Sequence, residues 1–191
     1  TVCYMIATTF ITSCLFGYIT SSEQLFVDVY DLGPAFPIAF ASIASAISAG
    51  TFLNSRLVVR QGMRRLSHTM IIGFTLSALA LAVIAQLGWA TFPVFTAMLA
   101  LTFAMFGLIA SNFNALAMEP VGRVAGSASA IYGAVTATGG AIFGALIGRA
   151  FNGTVVPFAM GLAAAGAATL LAVLWTERGA LFGPAPVVQK P

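Results

Sequence analysis

The sequence predicts an all-α membrane protein, a bundle of six transmembrane helices. Of its 191 residues, 60% are hydrophobic and 7% are charged, whereas a soluble domain carries about 25% charged residues. Asp, Glu, Lys and Arg are absent from five long stretches, residues 1–22, 32–55, 66–118, 124–148 and 150–176. Each stretch is longer than the roughly 20 residues with which a helix crosses the hydrocarbon core. A lipid-spanning β-barrel would instead require short segments of alternating hydrophobicity, and the sequence lacks them.

The longest uncharged stretch holds two spans, because Gly88, Trp89 and Pro93 interrupt it. The predicted spans are residues 1–21, 35–55, 69–87, 93–113, 126–148 and 155–175. They form one transmembrane domain, residues 1–176, followed by a Pro-rich tail, residues 177–191. Because the chain begins at Thr1 inside an apolar run, we expect it to be a piece of a longer polypeptide.

Half of the positive charge lies in one stretch, NSRLVVRQGMRRLSH, residues 54–68. With six spans, the predicted loop 56–67 lies on the same side as both chain ends. That side holds seven of the eight Lys and Arg residues, and the other side holds only Arg149. Positive charge marks the cytoplasmic side of membrane proteins. We therefore expect both ends and the loop 56–67 to be cytoplasmic, and an acidic segment with Glu23 to lie outside.

Two interpretations of the Arg residues in this loop stay open. In the first, they fix the topology and contact anionic lipid, which contributes about 1 kcal/mol per residue near the surface. In the second, they form a gate by bonding helix-end carbonyls or a carboxylate on a neighbouring span. Nucleic-acid binding is disfavoured because neither interleaved aromatic residues nor a soluble fold accompanies the charges. His68 is expected to be solvated at the membrane boundary.

The fifth span carries a ridge of small residues for helix packing. Glycine or alanine recurs there every three or four residues, at Gly126, Ala130, Gly133, Ala137, Gly140, Gly144 and Gly148. Small residues let two helix backbones approach closely, which drives helix association in lipid. The ridge is therefore predicted to pack within the bundle, and a substrate path along it is the alternative.

Two segments resemble the major facilitator superfamily. In that superfamily, a loop motif joins the second and third helices of each six-helix half. This sequence carries a motif of similar residues and spacing, formed by Gly50, Asn54, Arg56, Arg60, Gly62, Arg64 and Arg65. Downstream, the AMEP turn (residues 117–120) and AGSASA (residues 125–130) resemble the drug:proton antiporters of the Bcr/CflA type. The two resemblances together cover about residues 15–150.

The resemblance implies the C-terminal six-helix half of a twelve-helix transporter in the bacterial inner membrane, built from two inverted three-helix units. It implies a missing N-terminal six-helix half as partner, small amphipathic substrates, efflux by alternating access, and the proton as coupling ion without any other cofactor. In this family the coupling acid usually lies in the N-terminal half. A carrier of a metabolite, such as an amino acid or sugar derivative, and a non-transporting scaffold bundle are the alternatives.

Polar and aromatic residues within the spans are the candidates for lining a substrate cavity. Aromatic walls with a few polar groups suit amphipathic cations. The candidates are Phe16, Tyr18, Gln24, Phe40, Asn112, Asn114 and Tyr132. For the two Asn residues, hydrogen bonding between helices is the competing use.

Glu23 is a candidate proton or cation site, because the polar run of residues 20–24 interrupts an apolar helix. A carboxyl group within a membrane span is usually functional. The competing interpretation places Glu23 in an exterior loop, where it is solvated. The sequence shows neither paired metal ligands nor a nucleophile motif, so no metal site, catalytic residue or enzyme activity is predicted.

Overall fold

The structure is a computed structural model, and it describes residues 2–177, 179, 181 and 182, with the backbone alone for 122–125. The described residues form six membrane-length helices. All six are long and apolar enough to cross a bilayer. The helices are α1 Val2–Glu23, α2 Phe36–Gln61, α3 Met63–Gln86, α4 Phe92–Met118, α5 Ala125–Arg149 and α6 Val156–Thr176. The prediction of a six-helix membrane bundle is confirmed. The predicted tail 177–191 lies mostly outside the described residues.

The first helix is longer than the predicted span. After Glu23 it continues through a π-helical turn, Gln24–Val29, which ends near Tyr30. A short 3-10 turn, Gly33–Ala35, then reverses the chain into α2. The polar run of residues 20–24 therefore belongs to the helix and does not form an exterior loop.

The predicted loop 56–67 is wrong, because nearly all of it is helical. Helix α2 continues to Gln61 and α3 begins at Met63, so that Gly62 alone separates them. Gly62 has φ 78°, a conformation that costs glycine little and other residues more. Charged residues mark the point where a helix leaves the hydrocarbon core of the membrane. The helix itself can continue beyond that point, because long Arg side chains extend into the membrane interface. We call this end of the bundle the basic end.

The helices pair in a pattern that is the same for both halves of the chain. Helix α1 packs against α5 and α6, and α4 packs against α2 and α3. The two inner helices α1 and α4 touch each other, as do α3 and α6. Exchanging α1, α2 and α3 for α4, α5 and α6 leaves these contacts unchanged. This is the pattern expected of two inverted three-helix units.

Glycines create the closest helix crossings. Helix α2 meets α4 where Gly50 faces the carbonyl oxygen of Ala104 and Gly107 faces that of Ile47. A methyl group on either glycine would collide with this backbone. The equivalent crossing of α1 and α5 lies at Gly144, where an added Cβ would be 2.6 Å from Cβ of Phe16.

The predicted ridge on α5 packs in its second half. Gly140, Gly144 and Gly148 all lie against α1, where an added Cβ would come within 3.0 Å of a neighbouring atom. Gly126 and Gly133 have no neighbour within 4 Å of such a Cβ among the described residues. The first half of the ridge therefore lies on an open face of this bundle.

We expect Gly50→Ala to destabilise the bundle and Gly133→Ala to leave it unchanged or slightly more stable. Both changes improve helix propensity, by about 1 kcal/mol. Only the methyl group at position 50 would meet a backbone oxygen and push α2 away from α4. Thermal unfolding of the two variants in detergent, against the unchanged protein, measures the difference. Equal unfolding temperatures for both variants would contradict the close crossing at Gly50.

Candidate functional site

A cluster of polar side chains joins four helices at the basic end. Arg64 lies in the first turn of α3 and donates from Nη1 to both carboxylate oxygens of Glu177, at 2.9 and 2.8 Å. Glu177 follows the last residue of α6. Tyr4, near the start of α1, donates its hydroxyl proton to Oε1 of the same carboxylate at 2.7 Å. Arg64 also lies 3.9 Å from Glu119, at the end of α4.

The pair of Arg64 and Glu177 is the stronger of the two ion pairs. Its side chains are 19% and 11% exposed, whereas Glu119 is 48% exposed. Solvent screening weakens exposed ion pairs to little net value, and a charge-assisted hydrogen bond is strongest where water is excluded. Nε of Arg64 is buried without a hydrogen-bond partner among the described residues. Removing Glu177 would therefore leave a mostly buried guanidinium poorly compensated.

The other residues of the predicted loop motif have different surroundings. Gly50 forms the crossing with α4, and Gly62 separates α2 from α3. Arg56 lies over the ring of Phe52, 5.5 Å from its centre. Arg60 and Arg65 are exposed. Among the described residues, Arg64 is the one arginine of the four with a carboxylate partner, which is one of the two kinds of bond in the gate hypothesis. The opening and closing of such a gate stay a prediction.

Asn54 of the motif and the cavity candidate Asn112 are hydrogen-bonded to each other. Both are buried, and Nδ2 of Asn112 donates to Oδ1 of Asn54 at 2.7 Å and to the Leu108 carbonyl at 2.7 Å. The pair joins α2 to α4 near the Gly50 crossing. In the structure these two amides therefore form a hydrogen bond between helices, which is the alternative to lining a cavity. Asn114, two residues later, is exposed.

His68 is buried, and the expectation of a solvated residue is wrong. Its exposed fraction is 0%, and it lies inside α3, which begins six residues earlier than the predicted span 69–87. Nε2 of His68 is 3.2 Å from the hydroxyl of Tyr4. The backbone N–H of Phe182 donates to Nδ1 at 3.3 Å. The ring thus lies between α1 and the segment that follows α6.

Aromatic residues form a second cluster, toward the opposite end of the bundle. Tyr18 and Phe40 stack with ring centres 5.3 Å apart and planes at 13°. Tyr18 also contacts Phe103 of α4 and Phe26 of the π-helical turn, at 5.2 and 6.4 Å. Its hydroxyl donates to the Phe40 carbonyl at 3.3 Å. Phe40 is partly exposed, so one edge of the cluster reaches the open face of α2.

The remaining cavity candidates are dispersed. Phe16 packs against Gly140 and Gly144 of α5. Tyr132 is buried and donates to Oγ1 of Thr8 at 2.6 Å, which joins α5 to α1. Glu23 is exposed. Its neighbour Gln24 is partly buried, and the Gln24 Oε1 atom has no hydrogen-bond partner among the described residues.

Sequence reasoning missed Tyr4 and Glu177 as site residues. The sequence prediction assigns Glu177 to the tail and Tyr4 to an apolar span. The sequence does contain a usable signal, because Glu119 and Glu177 directly follow the uncharged stretches 66–118 and 150–176, at the end that carries most of the arginines. An acid at that end can form a charge-assisted hydrogen bond with one of the arginines.

These helices define a multi-pass integral membrane protein with a charged cluster at one end. Over 166 residues the chain is 28% identical to the bicyclomycin resistance protein homolog of Haemophilus influenzae, a match that covers 83% of this chain. The chain spans only 40% of that relative's length. No protein family model and no solved structure matches the chain. The relative's name associates that protein with resistance to bicyclomycin.

We expect Asn54 and Asn112 to be energetically coupled. In a double-mutant cycle of Asn54→Ala and Asn112→Ala, the coupling free energy should be about 1 kcal/mol, as for other hydrogen bonds within membranes. Each single change leaves a buried amide without its partner, whereas the double change removes both. Unfolding in detergent gives the three values. Asn114→Ala is the control, since this exposed amide should affect stability little; a coupling near zero would contradict the bond.

Proposed function

We propose that the chain is the C-terminal half of a proton-coupled multidrug efflux antiporter that works by alternating access. The similarity to the bicyclomycin resistance protein homolog carries this proposal, because 83% of the chain matches 40% of that protein. A six-helix unit that corresponds to less than half of its relative fits one half of a larger transporter. The proposal places the protein in the bacterial inner membrane, with the basic end in the cytoplasm.

The surfaces of α2 and α5 support a missing six-helix partner. Only 17% and 22% of the most apolar parts of these two helices are buried, against 44–50% for the other four. The open face of α2 carries small and hydroxylated residues, including Ser45 and Ser48, whose hydroxyls bond to their own helix. Small and hydroxyl residues favour contact with another helix or a polar cavity over contact with lipid tails.

The aromatic cluster supports amphipathic substrates. The ring centres of Phe36 and Phe40 on α2 are 5.9 Å apart. Both residues are partly exposed and extend the cluster of Tyr18 toward the open face of α2. A ring face attracts a cation electrostatically, and apolar contact holds the rest of the molecule. The partner half would supply the opposite wall. Tyr18 and Phe40 are thus the candidates that we retain for substrate contact.

Proton coupling belongs mainly to the partner half in this proposal. Glu23 lies inside the continuous helix Val2–Val29, at the change from α-helical to π-helical geometry. Such changes often occur at functional sites. The buried side-chain oxygens of Ser21 and Gln24 beside it have no hydrogen-bond partner within the described part of the chain, and after a small movement they could accept a bond from a protonated carboxyl or a cation. We therefore assign Glu23 a secondary proton or cation site.

Efflux measurements on the full-length protein test the function. Its expression in a susceptible bacterium should raise resistance to bicyclomycin, the compound in the relative's name, and an ionophore that collapses the proton gradient should abolish the effect. Accumulation of a fluorescent lipophilic cation measures the same activity. Unchanged accumulation and unchanged resistance for a protein that is present in the membrane would contradict the proposal.

The gate can be separated from the topology role of the arginines by a matched pair of variants. We expect Arg64→Gln to lower efflux several-fold and Arg65→Gln to change it little. Each removes one positive charge from the basic end, so any effect on topology is shared, but only Arg64 bonds Glu177. Glu177→Gln should resemble Arg64→Gln. Equal efflux for the Arg64 and Arg65 variants would leave only the topology role.

A further inference from the structure

The buried imidazole of His68 connects the bundle to the segment after α6. Its Nδ1 atom accepts the backbone N–H of Phe182 at 3.3 Å, and its ring contacts the Phe182 ring with centres 6.0 Å apart. Leu181 packs against the hydrophobic core. Phe182 also borders a cleft of about 330 Å³, together with Arg64, Arg65 and Glu119. Docking at His68 therefore places this segment beside the ion pair at the basic end.

The hydrogen bonds fix the protonation state of the ring. A backbone N–H can only donate, so Nδ1 must carry a free lone pair to accept from Phe182. Tyr4 gives its single hydroxyl proton to Glu177 at 2.7 Å. The bond between Tyr4 and His68 must then be donated by Nε2 to the tyrosine oxygen, at 3.2 Å. Both bonds require the neutral ring with its proton on Nε2.

The docked segment is held in a conformation that it would not adopt alone. Phe182 has φ 71°, which is a rare backbone conformation for a bulky residue. Such conformations persist where surrounding contacts impose them. Loss of the bond to His68 would remove one of the contacts that hold Phe182 in this state.

We propose that His68 is a proton-operated latch: its neutral ring docks Leu181 and Phe182 at the basic end, and a proton added to Nδ1 releases them. The added N–H would point at the N–H of Phe182, so the bond would be replaced by a contact between two donors. The proton comes from solvent, and no other bond needs to break. Release would uncover the cleft beside Arg64.

Charged groups face His68 from several elements. Glu177 at the end of α6 acts through Tyr4 of α1, and Arg64 lies one turn earlier on α3. Glu119 at the end of α4 is 3.9 Å from Arg64. The negative charge of Glu177 favours a positively charged His68 ring, and the positive charge of Arg64 opposes it. Glu177 and Arg64 already form an ion pair with each other. The latch therefore responds to the proton on His68, and transport is not required for it.

Hydrogen exchange of the full-length protein between pH 8 and pH 5 tests the latch. The Phe182 amide should lose about tenfold of its protection at low pH, after correction for the intrinsic rate, which is the effect of one ordinary hydrogen bond. The Gly179 amide is the internal control, because it donates to the Leu174 carbonyl at 2.8 Å and needs no histidine. Two results in the unchanged protein would overturn the proposal. Either the Phe182 and Gly179 amides lose protection equally at low pH, or neither of them loses protection.

Two variants separate the latch from a purely structural role of His68. His68→Asn retains an oxygen acceptor near the position of Nδ1 and cannot be protonated, so protection of Phe182 should persist and lose its pH dependence. His68→Leu lacks the acceptor, and protection should be low at every pH while Gly179 stays protected. A pH-dependent Phe182 amide in His68→Asn would overturn the proposal. Hydrogen exchange at Phe182 does not depend on efflux. Failure of the latch and failure of the proposed transport function can therefore be distinguished.

Discussion

The bundle depends on close contact between the backbones of crossing helices. Lipid tails are as apolar as the side chains, so burial of apolar surface drives helices together only weakly, and dense packing must do so. At Gly50 and Gly107 the backbones of α2 and α4 touch, and Gly144 brings α5 close to α1. Each crossing attaches an outer helix to one of the two inner helices. The internal symmetry of the bundle follows from these two matched crossings.

The crossings also decide which polar groups meet. Asn54 lies one turn after Gly50 and Asn112 follows Gly107, so that their amides face each other across the same pair of helices. On the other pair, Tyr132 reaches Thr8. Within the described residues these bonds satisfy groups that lipid could not. They add little energy individually, but they fix the rotation of α2 and α5 about their axes and thereby decide which face of each helix stays open.

At the basic end, one carboxylate gathers groups from separate parts of the chain. Glu177 accepts from Arg64 of α3 and from Tyr4 of α1, and Tyr4 in turn contacts His68. The partial burial of this cluster makes its hydrogen bonds stronger than those of the exposed arginines nearby. A change in one member is therefore felt by α1, α3 and α6 together.

The sequence by itself determined the number of spans, their order and the end of the bundle at which the arginines lie, because the composition of each segment reports directly on whether it can enter lipid. It misplaced the helix ends at residues 56–67 and the environment of His68, since charge records the edge of the hydrocarbon and the backbone continues beyond it. Only the tertiary structure decided that Arg64 and not Arg65 meets Glu177, that Asn54 pairs with Asn112, and that Phe182 docks on His68. These partners are separated by 58 to 114 positions, and their meeting depends on the rotation of packed helices, which no local pattern encodes.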